Sequence, residues 1–141
     1  MPRPTGAGVW EHQRVLTIGV TALGVDDLAR ATTFWASALG YTVAERTDRS
    51  ALLRPPVDAG TPLYLHVSTT PVQEHPRVHL DLLAADLPSR TAEVERLQQL
   101  GASVVNWDSY PPDPDFVVLA DTEGNRFCII DASHGEPEDA E

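Results

Sequence analysis

The sequence predicts an α+β fold built from two copies of one βαβββ unit, and two observations carry that expectation. First, Val20 to Gly40 and His79 to Gly101 each run strand, Asp-Leu, amphipathic helix, Leu-Gly, strand. Val20 lies seven residues before Asp27-Leu28, and His79 lies seven before Asp86-Leu87. Second, the helices end in Leu39-Gly40 and Leu100-Gly101, followed by Tyr41-Thr42-Val43 and Ala102-Ser103-Val104. A unit repeated over about half the chain lets two similar sheets pair around a shared cavity.

Each element has a local reason. Arg14–Ala22 is rich in β-branched and apolar residues and reads as the first strand. From about Asp27 to Leu39, residues Ala31, Phe34, Trp35, Ala38 and Leu39 recur at helical spacing on one face. Asp26 or Asp27 caps its start and Gly40 supplies a left-handed stop. Tyr41–Arg46, Ser50–Arg54 and Pro62–Ser68 read as strands, with a Pro- and Gly-containing turn over 55–61. After a linker at 69–76, Arg77–Leu83 opens the second unit. Its helix, from about Pro88 to Leu100, turns Val94, Leu97 and Leu100 inward, and Pro88 suits a first turn whose N–H is not needed. Ala102–Val105, Phe116–Ala120 and Arg126–Asp131 complete the strands, with Asp121–Asn125 as a tight hairpin loop. The chain thus divides into a loose extension at 1–13, with Trp10 packing back on the domain, and a domain at 14–131. The first module covers about 14–68, the second about 77–131, and 132–141 form an acidic disordered tail.

At 141 residues, one domain buries most of its apolar surface without metal or disulfide staples. The single cysteine, Cys128, has no internal disulfide partner and fits a reducing compartment. The N-terminal segment lacks the apolar core of a secretory signal, and no apolar run approaches a membrane span. A cytoplasmic protein with no membrane partner is therefore expected. A net charge of −11 without a basic cluster repels phosphates and argues against a nucleic-acid partner. Walker, G-x-S-x-G and paired-cysteine motifs are absent. His75 and His79 have metalloprotease-like i, i+4 spacing, but Pro76 and Val78 argue against a helix there.

FWASALGY (34–41), RVHLDL (77–82), AEVERLQQLGASVV (92–105) and FVVLADTEGNRFCIID (116–131) together resemble the glyoxalase/bleomycin-resistance/dioxygenase superfamily, also called vicinal oxygen chelate proteins. Within it the chain is most similar to the small glyoxalase-like domain proteins. The resemblance spans roughly residues 14–131. It implies that the two modules pair into a curved, cup-shaped, eight-stranded mixed sheet with the helices outside. It also implies a small-molecule ligand and a homodimer. Members with a metal place His, Gln or Glu at four strand positions facing the cup. Carried over here, the second module offers His79 at its opening position and Cys128 where Glu is usual. The first offers Val20, which cannot ligate, and Tyr64 or His66. No cofactor is therefore expected. A divalent ion (Zn, Fe, Mn or Ni), if held, would be taken by the softer set His66, His79 and Cys128.

His79 and Asp81 share a strand face, since side chains two residues apart on a strand point the same way. An imidazole so placed can act as a general base, with Asp81 assisting; the same pair can equally line a cavity and satisfy its own polar atoms. Tyr64 and His66 present polar tips on aromatic bodies, suited either to a pocket wall or to a cup rim. Cys128, between Phe127 and Ile129, reads as a small buried hydrophobe that can border a ligand. Trp107 and Tyr110, on a loop stiffened by Pro111, Pro112 and Pro114, read as a lid over an apolar ligand or as a cover for the core.

The leading functional expectation is a protein that binds a small organic metabolite or natural product, with lyase- or isomerase-type activity resting on His79 and Asp81. Two alternatives stand beside it. One is a non-catalytic drug- or metabolite-sequestering protein of the bleomycin-resistance kind. The other is a metal-dependent lyase or dioxygenase with an atypical metal site.

Overall fold

The computed structural model describes residues 15–57 and 60–135. In chain order the elements are β1 (Thr21–Val25), α1 (Leu28–Leu39), β2 (Thr42–Arg46), β3 (Ser50–Arg54), β4 (Leu63–Val67), β5 (Leu80–Ala84), α2 (Leu87–Gln99), β6 (Ser103–Val104), β7 (Phe116–Ala120) and β8 (Arg126–Asp131). The expected extension at 1–13, Trp10 with it, and residues 136–141 of the expected tail lie outside the described residues.

The duplication is real in three dimensions. The first half forms a sheet ordered β1-β4-β3-β2, and the second a sheet ordered β5-β8-β7-β6. In each, the opening strand lies parallel to the fourth and the other pairs are antiparallel. The eight strands thus form two separate mixed sheets, with no backbone pairing from one to the other among the described residues.

Strand partners explain where the observed boundaries depart from the expected ones. The first strand begins at Thr21 rather than Arg14, because its partner β4 begins at Leu63, which pairs Thr21. Residues 15–20 keep their apolar pattern but find no neighbour, and Val15, Leu16 and Ile18 are exposed. Likewise β5 begins at Leu80 rather than Arg77, since Leu80 pairs Phe127 near the start of β8. A strand extends only as far as a ladder exists to satisfy its N–H and C=O groups.

The first helix starts on one of its expected caps, Asp27, and the second, capped by Asp86, begins one residue earlier than its expected first turn. The Asp27 carboxylate accepts the Arg30 N–H at 3.1 Å, and that of Asp86 accepts the Ser89 N–H at 2.9 Å. Gly40 closes α1 at a φ of +70°, a conformation that costs glycine little.

The second half clasps α1 at both of its ends. At the N-terminus the Glu123 carboxylate accepts the N–H groups of Asp26 (3.0 Å) and Asp27 (2.7 Å) and pairs with the Arg30 guanidinium at 2.8 Å. At the C-terminus Arg96 of α2 donates to the carbonyls of Ser37 (3.2 Å) and Ala38 (2.8 Å). An anion before the first turn and a cation after the last both oppose the helix dipole favourably. Between these ends, Trp35 packs edge-on against Phe34 and Phe127, with ring centroids 5.1 Å apart in each case. Its indole N–H donates to the Asp121 carboxylate at 2.9 Å. One apolar core therefore joins α1 and sheet residues of both halves, including Leu53, Leu65, Leu119, Phe127 and Ile129.

Glu123 tests this joint. Its side chain is only 1% exposed, and burial alone would raise its pKa. The Arg30 guanidinium, the Asp27 N–H and the Thr122 hydroxyl outweigh that and hold the carboxyl down at about 2, from an ordinary 4.5. A folded-state pKa below the unfolded one gives stability that is present above pH 4.5 and lost as pH falls toward 2. Glu123→Gln should cost on the order of 2 kcal/mol at pH 7 in urea unfolding, with the penalty fading between pH 4.5 and pH 2.

Candidate functional site

Period-two alternation divides each sheet into a face packed on a helix and a helix-free face. In the second half, Leu80, Leu82, Phe127 and Ile129 take the helix side. His79, Asp81 and Leu83 on or beside β5, Cys128 and Ile130 on β8, and Phe116 and Val118 on β7 take the other, where they line a cavity of about 550 Å³. His75 and Pro76 of the linker, Trp107 and Ser109 of the 105–115 loop, Asp115, Arg126 and Phe127 complete its wall. Every residue lining it comes from 75–130, and none from the first half.

Its chemistry centres on Asp81. Its carboxylate lies 2.9 Å from His79 Nε2, and on the neighbouring strand β8 the directly opposed residue is Cys128. A ligand atom of each of His79, Asp81 and Cys128 lies within 4.8 Å of those of the other two. Burial pushes the Cys128 thiol up to about 12, and the Asp81 charge, its hydrogen bond to the thiol and the Asp115 charge add to the effect. Cys128 is thus held as the thiol beside an anion.

These three donors fit a borderline metal such as Zn²⁺, which takes imidazole, carboxylate and thiolate together. Cys128 would have to lose its proton to the ion's field. The softer set anticipated from the sequence is not the one the fold brings together, because Asp81 stands where His66 was expected.

The other sequence candidates disperse. His66 lines a separate cavity of about 600 Å³ between the halves, walled by β1, the start of the linker, His79, Leu80 and Phe127. Tyr64 stacks on His66 with centroids 5.8 Å apart, and it lines neither cavity. Trp107 does reach the 550 Å³ cavity, where it leans on His75 at 4.7 Å, and His75 in turn bonds Asp108 at 3.0 Å. Tyr110 does not line it. Its hydroxyl accepts the Val118 N–H at 2.9 Å and its ring rests on Phe116, so it ties the loop to the sheet.

Sequence reading passed over Leu83, Asp115, Phe116, Arg126 and Ile130. Alternation along β5 and β8 signals Leu83 and Ile130, which continue the faces of Asp81 and Cys128. Asp115 precedes its strand and carries no such signal.

The state of Cys128 is open to direct measurement. A rise from the ordinary 9.0 to about 12 lowers the thiolate fraction near pH 8 on the order of a thousandfold. Iodoacetamide should label the native protein that much more slowly than the urea-unfolded chain. Asp81→Asn, which removes one of the charges opposing the thiolate, should recover part of the rate.

Residues 20–130 match the glyoxalase-like domain family. No curated protein sequence matches the chain. Among solved structures it is similar to a glyoxalase/bleomycin resistance protein/dioxygenase family enzyme from Burkholderia phytofirmans PsJN, at 14% identity and a TM-score of 0.64, covering 81% of this chain and 97% of that one. A possible glyoxalase from Bacillus cereus matches at 19% identity and a TM-score of 0.63, covering 82% and 99%. A mutant of the fosfomycin resistance protein FosX from Listeria monocytogenes, complexed with Mn(II) and dihydroxypropylphosphonic acid, matches at 14% identity and a TM-score of 0.64, covering 84% and 90%. At such identities the structural likeness speaks to the fold alone. The family match extends over most of the chain, and this protein belongs to the glyoxalase-like domain family.

Proposed function

We propose that the chain binds a small organic metabolite or natural product in the second-half cavity, and that His79, assisted by Asp81, acts there as the acid–base group of a lyase- or isomerase-type step. The observation that carries this reading is the 2.9 Å His79–Asp81 contact on the wall of a cavity whose apolar lining includes Leu83, Trp107, Phe116, Val118 and Ile130. Apolar walls with a few convergent polar groups are the usual make-up of a small-molecule site. Asp81, 2.9 Å from Nε2, steadies the imidazolium formed when a ring nitrogen takes a proton from bound substrate. The same nitrogen then returns the proton to a neighbouring atom, completing an isomerisation or elimination. Cys128, held protonated, takes no nucleophilic part and borders the ligand. Trp107 covers the cavity from the loop.

A second reading rests on the convergence of His79, Asp81 and Cys128 within 4.8 Å. In it these residues hold a divalent ion, which would polarise a substrate oxygen. We read the protein as cytoplasmic, with no helix among the described residues long and apolar enough to cross a membrane. We also read it as a homodimer, the commonest soluble assembly.

A thermal-shift screen against small metabolites and natural products tests the reading at its root, since a ligand present at 100 times its Kd stabilises the native state by about 2.7 kcal/mol. With a hit in hand, His79→Ala should leave affinity within about threefold while turnover falls by about a hundredfold or more. Unchanged turnover would remove His79 from the chemistry, and a ligand bound with no turnover in the native protein would instead favour a sequestering protein. Stoichiometric metal in tag-free protein, lost in Asp81→Ala, would favour the metal reading.

A further inference from the structure

The loop at 105–115 borders the second-half cavity with few main-chain bonds to hold it there. At its ends the Val105 N–H donates to the Val118 carbonyl (3.0 Å), and the Asp115 carbonyl accepts from the Asp131 N–H (2.8 Å). From 108 to 114 no backbone group bonds another backbone group among the described residues. Tyr110, whose hydroxyl accepts the Val118 N–H, divides the loop into two spans. One histidine–aspartate pair ties each. His75 Nε2 lies 3.0 Å from Asp108 on the first span, and His134 Nε2 lies 3.3 Å from Asp113 on the second. Pro111, Pro112 and Pro114 stiffen the second span. The first, Asn106–Ser109, has no proline, and it supplies Trp107 and Ser109 to the cavity wall.

Charge favours lifting. The loop carries Asp108, Asp113 and Asp115 and no cation, in a half where 77–131 hold four arginines against ten carboxylates. Self-repulsion of that kind has to be offset from outside the loop.

His75 offsets it through two contacts at once. Its ring nitrogen meets Asp108, and its ring centroid lies 4.7 Å from that of Trp107. One proton on the imidazole strengthens both, the first as an ion pair and the second as a cation beside an aromatic face. Hydrogen bonds from His75 and then Ser109 hold the Asp108 carboxyl below its usual range, so it stays ionised where histidine changes charge. On the linker, Glu74 and Arg77 flank His75, and Arg126 of β8 donates to the Glu74 carbonyl at 3.3 Å. His79, Asp81 and Asp115 share the cavity wall with it. Carboxylates and arginines in this surround oppose one another, which leaves Asp108, the carboxylate in contact, to decide. On the far span His134 faces Asp113 and Asp131, and Arg90 also acts on Asp131.

We infer that His75 is a proton-operated latch on the cavity: protonated, it holds Asn106–Ser109 and Trp107 down, and deprotonated, it lets that span lift. Only the closed loop sets Asp108 and Trp107 against the imidazolium, so closure takes up a proton. The cavity therefore opens as pH rises through the range in which histidine ordinarily loses its charge. The latch goes beyond the acid–base role of His79 and does not depend on it.

Acrylamide quenching of Trp107 fluorescence tests the latch without a ligand, so its outcome stands apart from that of the metabolite screen. In a Trp10→Phe chain the remaining tryptophans are Trp107 and Trp35, and Trp35 is only 1% exposed. The lifetime-corrected quenching constant should be about threefold lower at about pH 5.5 than at about pH 8, as expected of exposed ion-pair and cation–π contacts. His75→Gln should keep the high value at both pH values, and His75→Arg, cationic throughout, should keep the low one. His134→Gln, which acts on the other span, should leave the pH dependence in place. Equal quenching at both pH values in the parent chain, or a pH dependence that survives His75→Gln, overturns the latch. Adding Trp107→Phe leaves Trp35 alone, and quenching of Trp35 that grows with pH would also overturn it, because the whole fold would then be loosening.

Discussion

The contact of Trp35 with Asp121 and Phe127 sets the rest of the structure. It is the point at which a helix of the first half enters the core of the second. Asp121 is almost fully buried, and burial raises its pKa. The indole N–H and the backbone N–H groups of Glu123 and Asn125 work in the opposite direction by bonding the carboxylate. The same carboxylate thus shapes the hairpin at 121–125 and anchors α1. Once the hairpin is set, Glu123 meets the helix N-terminus and Asn125 reaches the Gly24 carbonyl at 2.9 Å. A single buried anion coordinates the joint between two otherwise self-contained sheets.

That joint has a functional consequence. Binding the halves through α1 leaves the two helix-free faces to carry different groups. Where the second half presents imidazole, carboxylate and thiol, the first presents Val20, Ala22 and Tyr64 at the corresponding positions. The duplicated unit has kept its shape in both copies but not the side chains of its helix-free face. Asp81 stands at the centre of those groups: it lies against His79 and raises the Cys128 pKa. The arrangement favours proton transfer and disfavours thiolate chemistry.

Much of this was legible in the sequence, because it rests on local rules. The βαβββ repeat, a cap at Asp26 or Asp27, the Gly40 stop and the shared face of His79 and Asp81 follow from periodicity and backbone geometry. The strand ends did not, since where β1 and β5 begin depends on where β4 and β8 can receive them. Alternation alone left Tyr64 and His66 as equal candidates for the position opposite Cys128, and only the pairing of Thr21 with Leu63 selects Tyr64. The clasps at Glu123 and Arg96 were invisible for the same reason. Both act on a helix more than fifty residues away, and a surface Glu or Arg looks alike in sequence whether or not it meets a helix end.

The central claim is that α1 makes the two halves a single cooperative unit through its contacts with the 121–125 hairpin. Native-state hydrogen exchange followed by mass spectrometry addresses it directly, because amides released only by global unfolding share one opening free energy. The account predicts that amides in α1, β4, β5 and β8 exchange with the same free energy and the same denaturant dependence. Residues 21–67 opening at markedly lower free energy, with 80–131 still protected, would contradict it.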